Sequence, residues 1–90
     1  MAQAKFTLGL LVATPGVVAA VSREDIWQAL TRHAQGDWGT VCDEDKQAND
    51  EALNDGARIL SAYTSQSGTK FWVITEADRS ATTVLLPEEY

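Results

Sequence analysis

From Arg58 onward the chain carries three short runs rich in β-branched, aromatic and other apolar residues: Arg58 to Thr64, Thr69 to Thr75 and Ala81 to Leu86. Such runs, bounded by turn residues, are strand signals. The connectors Ser65-Gln66-Ser67-Gly68 and Glu76-Ala77-Asp78-Arg79-Ser80 are far too short for the crossover that a parallel pair needs, so they impose antiparallel hairpins. The spacing therefore predicts a three-stranded meander. In its middle strand Phe71 and Val73 face one side and Trp72 and Ile74 the other, so both faces are apolar and each needs a cover.

The preceding residues must supply those covers. Phe6 to Val12 has period-2 character and ends at Thr14-Pro15-Gly16, which reads as a first strand or strand-like entry segment. Thr14 before Pro15 also has the form of a helix cap with proline at the first helical position, so Pro15 to Val21 is either a short helix or a loop. Ser22 caps a firmer helix, with Glu24 and Asp25 in its first turn. Ile26, Ala29, Leu30 and His33 then recur at helical spacing, giving a helix over Arg23 to Ala34 with one face for the core. Gly36-Asp37-Trp38-Gly39 stops it. A second helix is predicted from Asp43 to about Asn54, where Ala48, Ala52 and Leu53 form only a narrow apolar stripe, so it lies on the surface. Asn54-Asp55-Gly56 ends it. The fold class is α+β: two short helices packed on a small antiparallel sheet that ends in the meander, with residues 1–90 forming a single domain without repeats or linkers. The helix from Arg23 covers one face of the sheet; the other is covered by the N-terminal segment or left to a partner.

Charge narrows the functional classes. Over 90 residues, 7 Lys and Arg face 13 Asp and Glu, a net charge of −6, in a chain 44% hydrophobic. The apolar share is too high for a disordered tail, and the acidity is wrong for a protein that grips phosphates. The imbalance is local: residues 37–55 hold Asp37, Asp43, Glu44, Asp45, Asp50, Glu51 and Asp55 against Lys46 alone, and elsewhere acids and bases balance. That segment is either a solvated face or a surface for a basic partner. Its carboxylates lack the alternating ligands and mid-loop glycine of a calcium loop, and no pair is spaced for acid–base catalysis in a cleft, so no metal, cofactor or catalytic residue is expected.

Cys42, the sole cysteine, excludes an internal disulfide and favours a reducing, cytoplasmic setting. The apolar stretch from Phe6 to Val12 with Val18-Ala19-Ala20 beyond faintly resembles a signal peptide, but Pro15-Gly16 interrupts it and one positive charge precedes it. No run reaches the ~20 apolar residues of a membrane span. His33 and Cys42 lack the further soft ligands a zinc site requires. His33 instead finishes an apolar helix stripe, where its charge would suit the C-terminal dipole, and Cys42 is a small semi-buried residue. Trp72 sits mid-strand as a core residue. Trp38, between two glycines, is a plug on the core or an exposed anchor for a partner. The Asp78 and Arg79 pair either stabilises its hairpin turn or forms a recognition tip.

Several segments carry a family resemblance: Gly36-Asp37-Trp38-Gly39, Asp43-Glu44-Asp45-Lys46, Asn49-Asp50-Glu51-Ala52-Leu53, Leu60-Ser61-Ala62-Tyr63, and most of Trp72 to Tyr90. From about Leu8 onward the chain resembles small uncharacterised bacterial proteins associated with plasmids and other mobile elements, some labelled plasmid-related or restriction-system subunit. A methyltransferase subunit would need a cofactor domain several times larger. Mobile-element residence implies opposition to host defence, toxin or antitoxin action, or control of transfer. With the anionic segment, the expectation is a non-enzymatic inhibitor of a nucleic-acid-targeting defence system, of the anti-CRISPR or anti-restriction type. It would meet a basic host protein or nucleoprotein complex, not nucleic acid directly and not a membrane, through Asp43, Glu44, Asp45, Asp50 and Glu51, with Trp38 as anchor. The helix-then-meander order also resembles RelE-like ribonuclease toxins, in which Arg79, Lys70, Arg58 and Glu76 would act. A third expectation is an oligomeric accessory protein, such as a homodimer, pairing through an exposed strand edge.

Overall fold

A computed structural model describes residues 4–90. Strand β1 (Leu10–Ala13) leads into helix α1 (Pro15–Ala20), helix α2 (Arg23–Ala34) and helix α3 (Asp43–Asp55). Strands β2 (Ile59–Thr64), β3 (Lys70–Thr75) and β4 (Ala81–Leu85) follow, and a 3₁₀ turn over Pro87–Glu89 ends the chain. The α+β class holds, and the expected meander is present as antiparallel pairs of β2 with β3 and β3 with β4. The sheet is nevertheless mixed, not purely antiparallel, because β1 adds to its far side parallel to β4, giving the order β1-β4-β3-β2. The N-terminal segment thus extends the sheet instead of covering its second face. The strand starts at Leu10 and not at Phe6, since Gly9 takes a positive φ of 68° that ends any extended run before it.

Caps explain the helix starts. The Thr14 hydroxyl accepts from the Val17 amide with Pro15 at the first helical position, so the Pro15 segment is a helix. The Ser22 hydroxyl accepts from the Asp25 amide at the start of α2. Helix α2 lays Ala29, Leu30, His33 and Ala34 inward against Tyr63, Phe71, Val73 and Val84, with Val17 and Val21 completing the cluster. These strand residues occupy one face of the sheet. On the opposite face Ile74 and Leu85 are buried, while Leu60, Ala62, Trp72 and Thr83 are half-buried. Trp72 is therefore less enclosed than its mid-strand position implied; Tyr90 packs edge-on against it at 5.8 Å.

The apolar face contains a polar seam. His33, fully buried, meets the Ser61 hydroxyl through Nδ1 at 2.5 Å and the Thr75 hydroxyl through Nε2 at 2.9 Å. Thr75 meets Thr82 at 2.7 Å, and the Thr82 hydroxyl donates to the Leu8 carbonyl at 2.7 Å. A carbonyl only accepts, so the direction follows as far back as His33, and a neutral ring then makes Ser61 the donor to Nδ1. Thr82 donates to Leu8, Thr75 to Thr82, His33 Nε2–H to Thr75, and Ser61 to His33 Nδ1. Burial, with the positive Arg79 as a lesser cause, lowers the ring's pKa to about 4, so near neutral pH it is the neutral Nε2–H tautomer. A charged His33 serving the helix dipole is accordingly ruled out in favour of a neutral core residue.

The free edge of β2 is closed by side chain and backbone together. The Ala62 amide donates to the Trp38 carbonyl and the Thr40 amide to the Ala62 carbonyl. The Asn49 amide group donates to the Leu60 carbonyl at 2.7 Å and accepts from the Leu60 amide at 3.2 Å. Gly39 permits this approach: its φ is 75°, and a Cβ there would collide with the Ala62 carbonyl.

Two outcomes are expected. The His33 Cε1 proton should titrate near pH 4 by NMR; a midpoint near 6.5 would mean that the ring reaches water. Since the unfolded chain takes up that proton near 6.5 and the fold only near 4, unfolding free energy should fall between those values by about 3 kcal/mol. Gly39→Ala should cost at least ~2 kcal/mol in denaturant unfolding, through the clash and the positive φ, and should speed amide exchange at Thr40 and Ala62.

Candidate functional site

Helix α3 carries Asp43, Glu44, Asp45, Asp50, Glu51 and Asp55 against the single base Lys46, and buries only Asn49 and Ala52. It runs to Asp55, one residue past the expected end, where Gly56 closes it in the left-handed conformation. At ~100° per residue, Asp43, Glu44, Asp50 and Glu51 share one outward arc of about 120°. Asp45 lies on the other flank, in a shallow groove with Ala48, Asn49, Arg58 and Leu60. Asp43, Glu44, Asp45 and Glu51 are all exposed. Among the described residues the one ion pair is Arg32 with Asp37, at 2.7 Å, so none of the α3 carboxylates is neutralised by a neighbouring base.

Asp37 therefore drops out of the anionic segment. Its hydrogen bond with Arg32 holds its carboxyl below the usual range and raises the guanidinium. Arg32 also lies over the Tyr63 ring at 4.8 Å. The Tyr63 hydroxyl donates to the Asp37 carbonyl at 2.6 Å, and burial pushes its pKa up to about 12.

Trp38 is 4% exposed and is a plug, not an exposed anchor. Its indole packs near Phe6 and His33 and its N–H donates to Asp50 at 2.9 Å. A buried indole needs such an acceptor. Asp50 is thus engaged by the fold as well as facing outward. Cys42 is exposed and occupies the cap position of α3 without a side-chain hydrogen bond, where a semi-buried place was expected. The acids of the first turn, Asp43, Glu44 and Asp45, stand in for the missing cap by facing the positive end of the helix dipole.

The basic residues that an RNA-cleaving reading would use are not brought together as a site. The Arg79 guanidinium donates to the carbonyls of Ala52, Ala57, Glu76 and Ala77 and lies over the Phe6 ring at 5.6 Å. It is a strut between the last hairpin and the end of α3. Arg79 holds a φ of 61°, and the Asp78 carboxylate accepts from the Ser80 amide at 2.9 Å, so the charged turn residues stabilise the turn. The Asp78 carboxyl is held below its ordinary range chiefly by Ser80. Arg58 donates to the Tyr90 hydroxyl, and Lys70 is exposed at the start of β3.

No group of three or more His, Cys, Asp and Glu among the described residues could hold a metal ion, and no helix there is long and apolar enough to cross a membrane. Comparison with family models, with curated proteins and with solved structures returns no match.

The vacant cap of α3 makes a direct prediction. Cys42→Ser supplies an acceptor at a cap residue already in extended geometry, and should raise unfolding free energy by about 0.5–1 kcal/mol, measured by urea denaturation under reducing conditions.

Proposed function

We propose that this chain is a non-enzymatic, acidic protein-binding module of a mobile element, which inhibits a host nucleic-acid-targeting defence system by presenting α3 to a basic protein or nucleoprotein complex. The observation that supports this reading is the state of the α3 carboxylates: exposed, and without a basic partner in an ion pair among the described residues. A helix with this many uncompensated charges gains little stability from them, while a Lys- or Arg-rich surface would find there the anionic complement it normally meets in nucleic acid. The same field repels phosphates, which excludes nucleic acid as the direct ligand of this face. The mobile-element setting rests on the family resemblance, and it narrows the basic partner to components of defence, of the CRISPR or restriction type. Asp43, Glu44 and Glu51 on the outward arc, with Asp45 on the flank, are the residues assigned to contact. Asp50 adds charge while fixed to Trp38.

The test is a phage plating or plasmid transformation assay in cells with an active CRISPR or restriction system. The wild-type chain should restore plating, and the variant Asp43→Asn, Glu44→Gln, Asp45→Asn, Glu51→Gln should lose at least ~10-fold of that protection. Its melting temperature should stay within a few degrees of wild type, because lost dipole contacts offset relieved repulsion along the helix. Equal inhibition by the variant, or none by the wild type in either system, would overturn the proposal.

A further inference from the structure

Among the described residues, five of the six exposed large hydrophobics, Leu10, Leu11, Val12, Val18 and Trp27, fall between residues 10 and 27. Three of them are β1 residues, Leu10 and Val12 on one face and Leu11 on the other. Leu10 is 69% and Trp27 64% exposed, and Leu11 and Trp27 line one apolar groove with Leu8, Leu30 and Ala34. Beside the groove runs an open strand edge. The Leu10 amide donates to the Ser80 carbonyl and the Thr14 amide to the Val84 carbonyl. By alternation along the strand, Leu10, Val12 and Thr14 direct their backbone groups to β4, and Leu11 and Ala13 direct theirs away from the sheet.

We propose that two copies of this chain associate through β1, antiparallel about a two-fold axis at Val12, to form one continuous eight-stranded sheet. In that register Leu11 of each copy lies opposite Ala13 of the other. Each such pair exchanges both N–H and C=O bonds, so the outward groups of Leu11 and Ala13 are all satisfied. Pairing stops where the strand stops, at Gly9 with its positive φ on one side and at Pro15, which has no N–H, on the other. Leu11 and Ala13 then meet their counterparts on the α2 face between the two Trp27 side chains. Leu10 and Val12 meet theirs on the opposite face.

Charge and topology select a second copy as the occupant. Residues 6–22 contain no charged side chain, so this edge offers nothing to a charged partner and everything to an identical uncharged strand. The edge also lacks the lysines, bulges and prolines within the strand by which unpaired edges are ordinarily protected. Each copy brings a net charge of −6, but its acidic helix packs against β2, at the other end of the sheet. Across eight strands the two β2 edges stand ~34 Å apart at the usual strand spacing, several times the ~8 Å Debye length at physiological salt. Repulsion between the acidic helices therefore does not oppose this mode. Because Trp38, Thr40 and Asn49 close the β2 edge, the assembly ends at two copies and does not grow into a fibre. The pairing does not depend on what α3 binds.

The test is light scattering coupled to size exclusion over a range of loading concentrations, with the full chain under reducing conditions. The expected mass rises toward twice the 9.8 kDa of one chain. Leu11→Lys, which puts a charge into the shared edge while its side chain can reach water, should weaken association at least ~10-fold with an unchanged circular dichroism spectrum. Hydrogen exchange on the wild type supplies a readout independent of any variant: the Leu11 and Ala13 amides should gain protection as concentration rises. A monomer at every concentration, larger open-ended oligomers, a dimer that persists in a folded Leu11→Lys, or a dimer in which those two amides stay unprotected would each overturn the proposal.

Discussion

A single directed series of hydrogen bonds, from Ser61 through His33, Thr75 and Thr82 to the Leu8 carbonyl, ties α2 to three strands of the sheet and to the segment that leads into the fourth. His33 belongs to α2, Ser61 to β2, Thr75 to β3 and Thr82 to β4, and Leu8 leads into β1. The Thr75 and Thr82 hydroxyls each both donate and accept, so neither strand can slide by a residue without leaving a buried polar group unpaired. Apolar packing around it tolerates small shifts. The hydroxyl series does not, and it therefore sets the height of α2 on the sheet. It also requires a proton on Nε2 of the imidazole, because Thr75 already donates to Thr82 and can only accept from the ring.

The same N-terminal segment decides how the two edges of the sheet differ. With Thr82 holding the Leu8 carbonyl, the chain is delivered alongside β4 and runs parallel to it as β1. Among the described residues no strand pairs with the other edge of β1. On the other side Trp38, Gly39, Thr40 and Asn49 supply the missing partners of β2. The sheet thus has one closed edge and one at which no described residue adds a strand.

Local patterns disclosed what local forces decide. The meander follows from short turns between β-rich runs, and α2 from its cap and its apolar stripe. The lengthwise imbalance of charge was visible as well. Parallel addition of β1 left no trace in its own residues, since an apolar run reads alike whether it covers a face or extends an edge. The role of His33 was half visible: Ser61, Thr75 and Thr82 all fall on the inward side of their strands, opposite the one histidine in the inward stripe of α2. Three hydroxyls on a buried face signal a polar seam, but joining them requires the strand register, which sequence spacing does not supply. Trp38 and Asn49 were hidden for a related reason. Both act on the backbone of β2, and a backbone partner has no sequence signature.

The closed edge also governs the acidic helix. Only Asn49 and Ala52 of α3 are buried, too little apolar contact to orient a charged helix by burial alone. Orientation comes instead from polar fasteners: Asn49 on the Leu60 backbone, the Trp38 indole on Asp50, and Arg79 on the Ala52 carbonyl. Trp38 serves twice, since its carbonyl pairs with β2 while its ring nitrogen holds Asp50. Closing the edge and aiming the helix are therefore one event, and the backbone that carries the acids of α3 is fixed by the same contacts. Of the acids on the outward arc only Asp50 is taken up by a fastener, so Asp43, Glu44 and Glu51 stay exposed on a helix whose backbone is fixed by the rest of the fold.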